Sequence, residues 1–223
     1  MSAVAGLHRR VVGREAAQVV LRGVDATEEA IKAGLSEATH VHLATHGFFH
    51  PEGVPSSWTS GRAASDGRAR LGDSEQRVVG DLPGLLSGLV FAGVNVEPEP
   101  GRDDGLLTAE EITVLDLSSA DLVVLSACET GLGRPEAGEG MIGLRRAFRM
   151  AGARTVISSL WEVDDRATRD LMTLFYENLW RRGMSKLEAL RQAQLSILEE
   201  NRARHGDGRP STWGAFVLDG APE

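Results

Sequence analysis

Asp121-Leu122-Val123-Val124-Leu125-Ser126-Ala127-Cys128-Glu129-Thr130-Gly131-Leu132-Gly133 is the stretch that decides the fold. Its apolar run reads as a buried strand that breaks at once into a polar, glycine-bearing turn. Cys128, the only cysteine in the chain, ends that run. A second run, His40-Val41-His42-Leu43-Ala44-Thr45, breaks at His46-Gly47. Each strand carries a reactive side chain at its end, where open α/β sheets place their working groups. A thiol and an imidazole so placed suggest nucleophilic catalysis.

Outward from these runs, strands alternate with helical patterns. Asp25 and Glu28 predict a capping box opening a helix to about Leu35, with a short strand near 18–21 before it. Leu86, Leu89, Val90 and Phe91 suit a strand within 85–94, interrupted by Gly88. Thr108 and Glu111 cap a short helix ending near Leu115, and Met141, Leu144 and Phe148 mark one face of a helix over 139–151 that Gly152 stops. Residues 154–160 read as a strand. Leu171, Leu174, Phe175 and Leu179 follow at helical spacing. Ser185 and Glu188 cap a last helix with Leu187, Leu190, Ile197 and Leu198 facing inward, and 213–218 closes the chain as a strand. This alternation predicts an α/β fold, a mainly parallel central sheet flanked by helices on both faces. Residues 48–84 are rich in Gly, Ser, Pro and Arg, and read as a long surface excursion.

Composition bounds the rest. The 223 residues suffice for one good core, and the formal charge of −8 argues against a general nucleic-acid surface. Lysine occurs only at Lys32 and Lys186, an arginine bias to which no function attaches. No membrane-length apolar stretch or secretion signal is visible, so a cytoplasmic protein without membrane contact is expected. A lone cysteine forms no internal disulfide, which suits a reducing compartment.

A thiol is sluggish at its free pKa of about 8.5, and a neighbouring imidazole makes the thiolate available near neutrality. His46 can supply that imidazole across adjacent strands. Gly47, lacking Cβ, allows close approach of substrate to its backbone N–H, and the Cys128 N–H is the natural second oxyanion donor; a plain chain turn at Gly47 fits equally well. His40, His42, His46 and His50 raise a metal site, but the first three share a face only if the strand is unbroken, and no ligand partner stands at a familiar spacing. No metal or cofactor is expected, and His42 reads as a packed or edge histidine. The neighbours of Cys128 lack the glycines of a nucleophile elbow, and the 131–140 loop lacks the Gly-Lys-Ser/Thr ending of a phosphate loop.

Four motifs stand in order: Leu43-Ala44-Thr45-His46-Gly47, Asp104-Gly105-Leu106-Leu107-Thr108-Ala109-Glu110-Glu111, Leu125-Ser126-Ala127-Cys128-Glu129-Thr130, and Ser159-Leu160-Trp161-Glu162-Val163-Asp164-Asp165. The chain resembles the CHAT domains, caspase-like cysteine peptidases often joined to tetratricopeptide repeats and related to separase. The likeness runs from about Ala16 to Leu218. It sets residues 1–15 apart as an N-terminal extension and makes 16–223 the peptidase domain. It implies a caspase–haemoglobinase fold, a Cys128–His46 dyad acting on a protein or peptide substrate, and an oxyanion hole of the Gly47 and Cys128 N–H groups. By the same resemblance Asp165, or else Asp164, lines the pocket for a basic residue before the cut, with Trp161 and Glu129 as further substrate-binding residues. Alternatively, Asp165 is a helix N-cap. The caspase signature around the nucleophile is absent, so a preference for Asp does not follow. The chain carries no helical-repeat region of the kind that CHAT domains usually use, so either this is a cut-out domain or the partner is supplied separately, and the 48–84 loop is expected to shield the groove until a partner arrives. A catalytically silent scaffold and a small-amide hydrolase are the competing readings.

Overall fold

The computed structural model describes residues 2–13, 16–49, 87–96, 102–126, 128–129, 137–206 and 208–223. Three apolar runs form the spine of one sheet. β1 (His40–Leu43), β5 (Leu122–Leu125) and β7 (Thr155–Ser159) lie side by side and parallel, and β8 (Phe216–Gly220) pairs antiparallel with β7. Every residue of β5 and β7 is buried, as expected of strands covered on both faces.

The sequence predicts a single sheet, and the structure has a second, mixed one. Its order is β4-β3-β2-β6, from β2 (His46–Phe49), β3 (Ser87–Val90), β4 (Leu106–Thr108) and β6 (Cys128–Glu129). β2 and β6 are parallel, whereas β3 runs antiparallel to both β2 and β4. The two sheets are linked because the chain passes from β1 of one into β2 of the other, and from β5 into β6. Pairing keeps its register from one sheet to the other: His40 opposes Leu122, Leu43 opposes Leu125, and His46 opposes Cys128. Gly88 does not interrupt β3 as expected: it pairs with Phe48 and Thr108 inside a continuous strand, and glycine is required there because a Cβ would stand 2.6 Å from the Phe48 ring and 2.8 Å from the Leu107 carbonyl.

Alternation along the parallel strands divides the core in two. On one face Val41, Leu43, Val123, Leu125 and Val156 pack with α2 (Glu28–Leu35), α3 (Ala109–Thr113) and α4 (Ala137–Met150) through Leu35, Ile112, Leu144 and Phe148. On the other, Leu122, Val124, Ile157 and Phe216 pack with α1 (Ser2–Val11), α5 (Asp165–Tyr176) and α6 (Lys186–His205) through Leu7, Leu171, Phe175, Leu190 and Ile197. α1 falls within the 1–15 segment set apart by sequence, and its Leu7 is only 3% exposed. After Tyr176, α5 widens into a π-helical turn, Glu177–Arg181.

Both capping boxes predicted at Thr108/Glu111 and Ser185/Glu188 form. Gly152, at φ 111, ends α4 in a conformation that L side chains rarely adopt. Other expectations change. Among the described residues, 18–21 pair with no strand, and α2 is capped by Thr27, which accepts from the Ala30 N–H, while Asp25 closes a 3₁₀ turn. The 48–84 excursion begins later than expected, because Phe48 and Phe49 still belong to β2; its greater part lies outside the described residues, as does most of the 131–140 loop. Leu187 is 49% exposed, and Lys186 is buried in its place. The buried seam of α6 runs Lys186, Ala189, Leu190, Ala193, Ile197, at the three- and four-residue steps of one helical face, and Leu187 falls off it.

The chain's two lysines both sit in ion networks. Lys32 on α2 reaches Glu28, Asp103 and Glu111, while Glu28 also accepts the Gly105 N–H at 2.9 Å. Burial raises the Glu28 carboxyl above its ordinary range. Burial alone would lower the Lys32 ammonium, but the hydrogen bonds it donates to three carboxylates outweigh that and hold it above its ordinary range. Lys186, at the start of α6, bonds Asp121 at the start of β5 at 2.8 Å.

Candidate active site

The carboxyl ends of β1, β5 and β7 lie at one edge of the parallel sheet, and the motif-bearing segments leave from that edge. β1 leads through Ala44–Thr45 to His46, β5 through Ser126–Ala127 to Cys128, and β7 to the 160–165 segment. This is the side on which open α/β sheets bind ligands.

His46 and Cys128 open β2 and β6 and oppose each other in the parallel pairing. Their backbones are therefore one strand spacing apart, about 4.8 Å. His46 is exposed, and Gly47 beside it is buried, opposed by Leu89 on β3 and Glu129 on β6. The oxyanion candidates Gly47 and Cys128 are thus neighbours across this pairing.

Thr45 and Ser126, ahead of the two residues, are pinned. The Thr45 hydroxyl donates to the Val90 carbonyl on β3, and the Ser126 N–H donates to the Leu43 carbonyl at 2.8 Å. Ser126 Oγ also lies 3.3 Å from His42 Nε2, and His42 Nδ1 lies 3.0 Å from the Tyr176 hydroxyl. Burial pushes the His42 imidazole down to about 4, so the ring is neutral at physiological pH. Burial raises the Tyr176 phenol above its ordinary range. The sequence marks His42 as a packed or edge histidine, but no spacing rule joins it to Ser126 or Tyr176. Because the strand breaks at Ala44–Thr45, His40 and His42 lie on β1 in one sheet and His46 on β2 in the other.

On the β7 side the cap assignment shifts by one residue. Asp164, not Asp165, is the N-cap of α5, accepting from the Arg166 and Ala167 N–H groups at 2.9 and 3.1 Å. Asp165 is the exposed first residue of the helix. Trp161 is 40% exposed and donates its indole N–H to the Ser211 carbonyl at 3.1 Å, which ties the segment to the turn before β8.

The family model of the CHAT domain matches residues 2–221. The chain belongs to the CHAT domain family. This CHAT domain is 30% identical over 210 residues to tetratricopeptide repeat protein 28 of Mus musculus and 29% identical over 224 residues to the Homo sapiens protein of the same name. Each match covers 90% of this chain and 8% of the relative, so the CHAT domain here spans a small part of those proteins' length. Among the described residues, no helix is long and apolar enough to cross a membrane.

Proposed function

We propose that this CHAT domain is a cysteine endopeptidase with Cys128 as nucleophile and His46 as its acid–base partner. The observation that carries the reading is the register of β2 and β6, which sets the first residue of one opposite the first residue of the other. His46 takes the thiol proton, and the Cys128 thiolate attacks the scissile carbonyl. The oxyanion rests against the backbone N–H groups of Gly47 and Cys128, which are neighbours across the pairing. As the tetrahedral intermediate collapses, His46 protonates the departing amine, and water then hydrolyses the thioester with His46 as base.

Asp165 is assigned to the pocket for a basic residue before the cut, because the carboxylate of Asp164 is already held by two backbone N–H groups. Trp161 and Glu129 are assigned to substrate binding beside it. Regulation by a repeat region or a separate partner belongs to this reading, since both named relatives are repeat proteins. Those names also favour a second reading, a catalytically silent scaffold.

Incubation with a diverse peptide library tests the assignment. Cleavage is expected from the wild type and should fall by more than about a thousandfold in Cys128→Ala. Equal cleavage by the two proteins overturns the peptidase. An alkylating probe that leaves Cys128 untouched with a repeat partner present supports the scaffold. Asp165→Ala should weaken cleavage after Arg and Lys while preserving the fold.

A further inference from the structure

Ser126 follows β5 directly and stands two positions before Cys128, and one polar chain crosses from the helical layer to it. Its far end is Tyr176, 1% exposed, at the last turn of α5. Its ring stacks on Trp180 with centroids 4.2 Å apart, and it meets Phe175 edge-on at 4.9 Å. A ring held on two sides presents its hydroxyl in a fixed place. His42 takes that hydroxyl at Nδ1 and Ser126 Oγ at Nε2. One imidazole thus spans from α5 to the residue two positions before Cys128.

A neutral imidazole has one N–H and one lone pair, so the chain runs in a single sense, with one ring nitrogen donating and the other accepting. Both hydroxyls can take either role. The hydrogen-bonding capacity of the ring is then filled by two residues that come from different elements. Ser126 is also held through its N–H by Leu43, which leaves it anchored by both backbone and side chain.

We propose that His42 is a positioning residue for the site described above: by bridging Tyr176 to Ser126 it holds the residue that follows β5, and so keeps Cys128 in register with His46. The role rests on the peptidase reading for its catalytic consequence. Its mechanical part is measurable separately.

Two readouts on the full chain test it. The first is amide hydrogen exchange followed by mass spectrometry. His42→Leu and Ser126→Ala should speed exchange about five- to tenfold in peptides covering residues 125–129, the change in local opening that loss of one ordinary hydrogen bond produces. Peptides from α6 should be unchanged. Tyr176→Phe keeps the ring packing and removes only the hydroxyl, so it serves where His42→Leu folds poorly. His42→Gln, with one donor and one acceptor, should recover part of the protection.

The second readout is the pH dependence of Cys128 alkylation by iodoacetamide, which reports one thiol because the chain has one cysteine. The wild-type profile should lie below the free-thiol value of about 8.5 and move towards it in His46→Ala, with Tyr176→Phe and Ser126→Ala between. Wild type and His46→Ala with the same profile overturn the dyad. Unchanged exchange over 125–129 in folded His42→Leu and Tyr176→Phe overturns the positioning role.

Discussion

At residue scale, the two aspartates that begin α5 divide their work by one step of backbone. Asp164 satisfies two N–H groups that the first turn leaves without helical partners, whereas Asp165 is exposed inside that turn. Asp164→Ala should therefore cost about 1 kcal/mol and lower the melting temperature by about 2–4 °C in a chain of this length. Asp165→Ala should leave the melting temperature within about 1 °C, since surface changes away from caps are small. Thermal melts of the two variants check this, and a larger loss in Asp165→Ala would reverse the assignment. The Asp-Asp pair marks a helix start from sequence, but which of the two accepts from the backbone depends on where helical dihedrals begin.

Among the elements, α6 is tied to β5 by one buried ion pair whose two ends differ in exposure. Lys186 is 3% exposed as a residue, while the Asp121 side chain is 38% exposed and also lies within 4 Å of His40 and Arg154. Removing the aspartate strands an ammonium in a dry site, whereas removing the lysine leaves a carboxylate that water can reach. Asp121→Ala should cost about 3 kcal/mol and Lys186→Met about 1 kcal/mol or less. The double variant should be more stable than Asp121→Ala alone. Denaturant unfolding of the three proteins measures this, and equal costs for the two single variants would refute the asymmetry. Helical periodicity on α6 was legible, but its phase was not: a lysine on the seam looks polar until its partner on β5 is in place.

For the whole molecule, stability should fall on mild acidification. His42 binds its proton only near pH 4 when folded and near its ordinary 6.5 when unfolded, and burial lowers His40 in the same direction against the pull of Asp121. The unfolded chain takes up protons first, so the contribution is complete above about pH 6.5 and is lost as pH falls towards 4. The His42 share amounts to at most about 3 kcal/mol. Urea unfolding at pH 7.5, 6 and 5 should show the decline, and His42→Gln should flatten it. A profile in His42→Gln as steep as the wild type's would remove His42 as its source.

Read alone, the sequence determined the parallel core, two capping boxes and the family. These follow from apolar runs and local hydrogen bonding, which act within a few residues. The sequence put His46 and Cys128 at the ends of β1 and β5, whereas they open β2 and β6. The second sheet was hidden because Ala44–Thr45, where β1 gives way to β2, carries no glycine or proline to announce a break. Only tertiary structure set the register of His46 with Cys128, the His42 bridge and the burial of Lys186. Each of these depends on which distant segment supplies the partner, and that is decided when the sheet pairs and the helices close over it.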